Sequence, residues 1–335
     1  MSDTHPKLVA LVAKPRVGDT IDALSREGVY DDTRRVTEHD ETQVAIPISE
    51  HPIETSVNEV TRLELSRRVT GLSDLLKERG FSESVIRSAP GSWAVLGSVV
   101  LADFDGCTER EAVGDALLEL HGEADTVLHR NGIDGAYRTP DVEFVAGAGE
   151  TETIHVEHGI KYALNLSNVM FSPGNKAERV RMGEVVDPDE RVFDMFAGIG
   201  YFTLPMAASG ADVTAAEVNP EAYRLLVENA VLNDVEERVE PVLGDCRTVE
   251  TNADRVVMGY YDAHEYLDAG ISALEPGGIL HLHEATPEPL FPDRPIDRFT
   301  EALEDHGRAG EVLVDRIVKT HSEGVVHGVI DVRIE

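Results

Sequence analysis

From about residue 185 onward the chain alternates short apolar runs with amphipathic ones. "RVFDMF", "DVTAAEV", "VEPVLGD", "RVVMGY" and "GGILHLHE" are strand-like, while "YFTLPMAAS", "PEAYRLLVENAVLN", "EYLDAGISAL" and "IDRFTEALEDHG" carry helical spacing. Alternation of this kind needs crossover connections, and crossovers give parallel strands covered by helices on both faces. The expected fold class is α/β: a doubly wound, mostly parallel sheet over 185–335. An antiparallel hairpin from "GEVLVDRIVKTH" and "GVVHGVIDVRI" is expected to close it. Such a sheet binds its ligand at the carboxyl ends of its strands, so the residues at those ends are the ones that carry chemistry.

Two smaller α+β segments are expected ahead of it, 1–55 and 56–184. In the first, "KLVALVAKP" and "TQVAIPI" are strand-like, and "GDTIDALSREG" is helix-like with Asp19 as its cap. Residues 51–64 read as a linker. In the second, "SDLLKERG" is a short helix stopped by Gly80, "WAVLGSVVLA" is one or two strands and "REAVGDALLELHG" is an amphipathic helix. "TVLHR", "VEFVAG", "ETIHVEHG" and "IKYALNL" follow as strands.

No run approaches the ~20 apolar residues of a membrane span. "MSDTHPKLVA" lacks the basic start and apolar run of a signal peptide. A cytoplasmic protein with no membrane partner is expected. Cys107 and Cys246 give no disulfide framework and no zinc spacing, and the 13 histidines show no metal spacing either. No metal is expected. The charge balance is 63 acidic residues against 30 basic ones, net −33, and only six of the bases are lysines. The acids are spread through patterned segments rather than in blocks, which fits a folded protein from the salt-rich cytosol of a halophilic archaeon. At ~1 M salt the Debye length is only ~3 Å. Acidity there does not exclude a nucleic-acid partner.

Four strand ends carry the candidate site. The first opens into "FDMFAGIGYF", where a Gly-X-Gly turn lets backbone approach a ligand closely. Glu217 ends the second strand and suits a ribose diol, because a carboxylate accepts from both hydroxyls. "GDCR" ends the third, and Asp245 suits the amino group of an adenine. The dinucleotide fingerprint is incomplete, since Leu204 and Pro205 stand where its last glycine is needed, and no P-loop lysine follows. A phosphate-free nucleoside fits better, and S-adenosylmethionine is the common one. The fourth end is Met258-Gly259-Tyr260-Tyr261, whose tyrosines are candidates for stacking on a base.

Just before the first strand, "NVMFSPGNKAERVRMGEVV" makes a turn at Pro173-Gly174 and then a short helix. Arg179 and Arg181 cannot face the same way on it. One can grip a ligand carboxylate while the other pairs at the surface; a plain interdomain helix with solvated arginines is the alternative. Arg138 and Thr139 fall in a turn between strands, either as phosphate contacts or as a polar turn. His281 and His283 share one strand face and fit a half-buried pair better than a metal site.

"FSPGNKAERVRMGEVV", "VFDMFAGIGYFTLPMA", "AAEVNPEAYRLLVENAVLNDV", "GDCR" and "DRVVMGYY" resemble the tRNA wyosine-pathway aminocarboxypropyltransferases, relatives of the tRNA guanosine-37 N1-methyltransferases. The resemblance covers nearly the whole chain. It implies a class I methyltransferase-like Rossmann sheet preceded by small tRNA-facing α+β domains. It implies transfer of the 3-amino-3-carboxypropyl group of S-adenosylmethionine to a carbon of 4-demethylwyosine at position 37 of tRNA(Phe), with release of 5′-methylthioadenosine. By the same resemblance, Ser172 and Arg179 hold the methionine end, with Arg179 on its carboxylate, Glu217 holds the ribose, and Asp245 with Cys246 the adenine. Asp194, Ala197, Gly198 and Gly200 shape the turn. Tyr260, Asp262 and His264 are the candidate acceptors for the proton leaving the attacked carbon. The methyltransferase branch usually has Asn-Leu-Pro where this chain has Met258-Gly259-Tyr260. A guanosine-37 methyltransferase with a divergent fourth motif and a non-catalytic tRNA-binding protein are the alternatives. Oligomeric state is not legible in the sequence.

Overall fold

The computed structural model describes residues 6–65, 68, 71–135 and 137–335. The chain forms two compact units, Met1–Ala89 and Pro90–Glu335.

The first unit contains β1 (Lys7–Ala13), α1 (Val17–Glu27), β2 (Thr37–Glu38), β3 (Gln43–Pro47), β4 (Glu59–Leu63), α2 (Leu72–Glu78) and α3 (Glu83–Ser88). Its sheet runs β2-β3-β1-β4, with antiparallel pairing throughout. β1 is an unbroken apolar run because Val9, Ala10, Leu11 and Val12 are all buried, on alternating faces. Two expectations are corrected here. Residues 59–63 are not linker: they pair with β1 from Lys7↔Leu63 to Leu11↔Glu59. Asp19 is not the cap: the helix starts at Val17, so Asp19 lies inside the first turn, where its charge suits the exposed N–H groups.

The second unit opens with β5 (Trp93–Leu96), β6 (Val99–Ala102), α4 (Arg110–Leu120), β7 (Thr126–Asp134) and β8 (Thr139–Gly147), whose strands form a sheet in that order. Gly97, with φ of 56°, splits "WAVLGSVVLA" into two strands. A hairpin follows, β9 (Glu152–Glu157) and β10 (Ile160–Asn165), and then α5 (Lys176–Val185).

The remaining elements are β11 (Arg191–Asp194), α6 (Thr203–Ala208), β12 (Asp212–Glu217), α7 (Pro220–Leu232), β13 (Val239–Leu243), β14 (Ala253–Met258), α8 (Leu267–Ala273), β15 (Leu274–Pro287), α9 (Asp293–Asp305), β16 (Gly310–Ser322) and β17 (Val325–Ile334). They build a seven-stranded sheet in the order β13-β12-β11-β14-β15-β17-β16. The first five strands are parallel, and β17 and β16 add as the antiparallel hairpin. Successive residues feed two cores. Val192, Ala215 and Val257 pack on the side of α6 and α7, while Phe193, Ala216 and Val256 pack on the side of α8 and α9. That two-sided burial is why these strands are almost wholly apolar.

A chain of charged and polar groups runs beneath α5. Arg255 donates to Glu190 at 3.0 Å and meets His281 Nε2 at 2.7 Å, and His281 Nδ1 lies 2.6 Å from Asp331. Asp331 also takes Arg316 at 2.8 Å and Arg181, and Arg316 pairs with Glu178. Since Arg255 can only donate, Nε2 of His281 accepts and its Nδ1–H faces the carboxylate. The network ties α5 to the β16–β17 hairpin.

Candidate active site

β11 is the middle of the five parallel strands, and its backbone pattern continues into the loop that follows: Met195 N–H donates to Val257 and Ala197 N–H to Ala216, each at 3.0 Å. Asp194, fully buried, ties the strand end to α6. Its Oδ2 accepts from Thr203 Oγ1 at 2.7 Å and its Oδ1 from Phe196 N–H at 3.3 Å. Burial pushes the Asp194 carboxyl up to about 6. Gly198 and Gly200 then take φ of 58° and 100°, the left-handed region that glycine tolerates. The four strand ends enclose a cavity of about 350 Å³. Gly198 lines it; Asp194, Ala197 and Gly200 stand behind that wall.

Glu217 enters the cavity from the end of β12. One oxygen accepts from Gly198 N–H and the other from Asn219 N–H, both at 2.7 Å. Each oxygen keeps a further lone pair for a hydroxyl. Burial raises its pKa. Asp245, after β13, also lines the cavity. Arg247 holds it through Nε at 2.9 Å and Nη2 at 2.5 Å and keeps its carboxyl below the usual range. Burial pushes the neighbouring Cys246 thiol up to about 12, so it is a neutral wall. Phe196, Tyr260 and Tyr266 form an aromatic group at this end: Phe196 lies 5.2 Å from Tyr260 and 5.0 Å from Tyr266 between ring centres. Gly259 is required beside them, because a Cβ there would stand 2.7 Å from the Phe202 ring.

The opposite end is cationic. Arg179 donates through Nε to Glu157 at 2.8 Å and through Nη1 to the Ser172 carbonyl at 3.0 Å. Its Nη2 is 2.7 Å from the same Glu157 oxygen but is angled too poorly for a hydrogen bond, which leaves a buried donor free. Ser172 lines the cavity, and its Oγ accepts from Lys319 at 2.7 Å. Asn175, also lining, buries an Oδ1 that has no partner. Arg138, in the left-handed region at φ of 51°, sits 5.4 Å from the centre of the Tyr261 ring. Tyr261 packs edge-on to His321 at 4.5 Å and His327 at 5.0 Å.

The structure therefore brings Ser172, Arg179, Gly198, Glu217, Asp245, Cys246 and Tyr260 to one cavity, together with Arg138. It does not bring Asp262 or His264 to its wall. His264 Nδ1 instead faces buried Glu284 at 4.0 Å. Asp262 reaches the site only through Tyr260, whose phenol is pushed up by burial and by that carboxylate. Arg181 pairs with Asp331 and Glu178. His281 and His283 are both buried, and His283 Nδ1 meets His327 Nε2 at 3.0 Å. Sequence reasoning missed Lys319, Asn175 and His327. For Lys319 the available signal was its rarity, one lysine of six in an acid-rich chain.

Asp103, Asp105 and His129 approach within 4.8 Å. His129 Nδ1 accepts from Phe104 N–H at 3.0 Å, so Nε2 carries the hydrogen and faces Asp105 at 3.6 Å. No histidine lone pair is left there for a metal. Among the described residues no helix is long and apolar enough to cross a membrane.

The TRM5/TYW2 methyltransferase domain matches residues 153–313, and the TYW2 N-terminal domain matches 72–151. A tRNA(Phe) (4-demethylwyosine(37)-C(7)) aminocarboxypropyltransferase from Pyrococcus horikoshii is 38% identical over 277 residues, 80% of this chain and 99% of that one. The crystal structure of P. horikoshii TYW2 in complex with MeSAdo has a TM-score of 0.69 at 36% identity, covering 78% of this chain and 97% of that one. The crystal structure of Trm5b from Pyrococcus abyssi has a TM-score of 0.78 at 30% identity, covering 98% and 99%. With the strand-end cavity, the two domain matches and these relatives taken together, the chain belongs to the TRM5/TYW2 family of class I methyltransferase-fold tRNA-modifying enzymes.

Proposed function

We infer that this protein transfers the 3-amino-3-carboxypropyl group of S-adenosylmethionine to C7 of 4-demethylwyosine at position 37 of tRNA(Phe), releasing 5′-methylthioadenosine. The carrying observation is one cavity that offers a diol acceptor at Glu217, an adenine edge at Asp245 and Cys246, and donors at Ser172 and Arg179. The orphan Arg179 donor and the orphan Asn175 acceptor fit a ligand arm that ends in a carboxylate and an ammonium.

S-adenosylmethionine, when bound, supplies a sulfonium with three carbons open to attack and a neutral leaving group. Which carbon reacts is set by which one the protein holds in line at ~3–3.5 Å from the nucleophile. Ser172 and Arg179 restrain the amino-acid arm, Glu217 and Asp245 restrain the nucleoside, and Asp194, Ala197, Gly198 and Gly200 keep the turn between them in shape. A bond forms between C7 and the γ-carbon, the γ-carbon–sulfur bond breaks, and the proton on C7 departs. Tyr260 backed by Asp262 is the proposed acceptor: its oxygen takes the C7 proton as its own hydrogen passes to the Asp262 carboxylate. His264 is the weaker candidate, because it points to Glu284. Arg138, 5.4 Å from the Tyr261 ring centre, is proposed to meet an RNA phosphate. The segments ahead of β11 are proposed as the tRNA-facing parts, and 185–335, with Ser172 and Arg179 from the segment just before it, as the catalytic one. The acid excess is taken as that of a protein of a salt-rich cytoplasm.

A guanosine-37 methyltransferase is the second reading, because Trm5b from P. abyssi matches 98% of the chain. Incubation with tRNA carrying the wyosine precursor, and with S-adenosylmethionine labelled separately in methyl and carboxyl groups, tests both. Carboxyl label in the tRNA with released methylthioadenosine supports the first reading. Methyl label in the tRNA supports the second. Binding without transfer of either label leaves a non-catalytic tRNA-binding protein.

A further inference from the structure

We propose that Lys319, acting through and beside Ser172, is the charge that anchors the carboxylate of the transferred arm. The proposal rests on the cofactor reading above and names a residue outside the motifs that carry it.

Lys319 lies on β16 and donates to Ser172 Oγ at 2.7 Å. An ammonium has no acceptor, so the serine oxygen accepts and its own hydrogen is free to point at an anion. Gly174 makes room for this contact: a Cβ there would stand 3.0 Å from Lys319 Cδ. Among the described residues no carboxylate lies within ion-pair distance of Lys319 or Arg138. In a chain with 63 acids and 30 bases, one such cation on the cavity wall, Arg138, and a second bonded to the wall residue Ser172 are unusual.

Arg179 is different. Glu157 lies against it, both side chains are almost fully buried, and the pair sums to no net charge. It offers a directed donor whose charge Glu157 offsets only in part. Lys319 is the uncompensated cation at the same end, with Arg138 nearby. Burial, Arg179 and Arg138 together pull the Lys319 pKa down to about 8. A carboxylate placed beside Ser172 relieves that repulsion, and the Asn175 Oδ1 is then the acceptor for the adjoining ammonium. The anchor is specific for one end of the reaction: once the arm has moved to the RNA, the methylthioadenosine left behind has no carboxylate to hold.

Calorimetric binding of S-adenosylmethionine and of methylthioadenosine to the full chain tests this. In Lys319→Met the first ligand is expected to bind about 10- to 100-fold more weakly, the scale of a charge-assisted hydrogen bond. The second is expected to change by less than about 2-fold on the same scale. Lys319→Arg should retain most of the affinity. It should also lack the decline above pH 8 expected of the wild type as its lysine deprotonates. Arg179 and Arg138 face Lys319 from α5 and the β7–β8 turn. His321 and His327 on the same hairpin are neutral throughout it, because burial lowers both. Unchanged binding of S-adenosylmethionine in Lys319→Met, or equal loss of both ligands, overturns the proposal. Wild-type protein that binds neither nucleoside overturns the cofactor reading itself and the proposal with it.

Discussion

Asn229 stands beside Ala163 as a neighbouring strand would: its Oδ1 accepts from Ala163 N–H at 2.7 Å and its Nδ2 donates to the Ala163 carbonyl at 3.1 Å. The same amide also donates to Ile199 in the loop after β11, at 3.0 Å. One turn along α7, Asn233 repeats the pattern on Lys161 at 2.8 and 2.7 Å. Two side chains thus close the open edge of β10. They also fix the hairpin that carries Glu157, the partner of Arg179.

Asn229→Ala removes three bonds and leaves Ala163 and Ile199 without partners. Each buried group left unpaired costs about 1–3 kcal/mol. A lower denaturant midpoint is expected, with weaker S-adenosylmethionine binding because Arg179 loses its support. An unchanged midpoint contradicts this account of the edge.

Asp194 makes stability depend on pH in a stated direction. Its folded pKa of about 6 lies above the unfolded value, so the folded state binds the proton more tightly. Stability therefore rises as pH falls from about 6 toward 4, and the full cost of the buried charge is felt above 6. That cost is on the order of 3 kcal/mol. Asp194→Asn should flatten this part of the profile in urea titrations at pH 4.5 and 7.5. Parallel profiles for variant and wild type would rule the explanation out.

Glu217→Gln sets an amide NH₂ or a weaker acceptor against Gly198 N–H and Asn219 N–H. S-adenosylmethionine and methylthioadenosine share the ribose, so both should lose affinity, by about 10-fold or more for a charge-assisted bond. The pattern differs from that expected of Lys319 variants, where only the carboxylate ligand suffers. Retention of both affinities would remove Glu217 from the ribose site.

Tyr260→Phe tests the proton acceptor. General acid–base catalysis contributes about 10²–10⁴-fold. A fall of that size in single-turnover rate is expected, with nucleoside affinity little changed, and Asp262→Asn should follow it. Full rates in both variants would send the search for the base elsewhere.

The strand–helix alternation was legible because each strand of the Rossmann sheet feeds two cores, Val192 to one and Phe193 to the other, so apolar runs mark strands directly. Glu217 and Asp245 were legible because they end strands at the edge where such sheets bind ligands. β4 was not, since "EVTRL" mixes charge with short apolar residues and is held by pairing to β1 rather than by burial of its own. Lys319 was hidden for a different reason. β16 slips register against β17 between Ile317 and Lys319 and again between Thr320 and Ser322, so a period of two cannot say which way its side chain points. Its partner Ser172 is 147 positions away, and only the tertiary fold brings them together.

The bonding beneath α5 has a mechanical result. Glu178 and Arg181 flank Arg179 and bolt the helix to Arg316 and Asp331 on the strand pair that carries Lys319. These bonds brace helix and hairpin against each other as one clamp before any guest arrives. Little ordering entropy is then left to lose on the arm side, and discrimination between substituents of the sulfonium follows from fixed spacing instead of from closure.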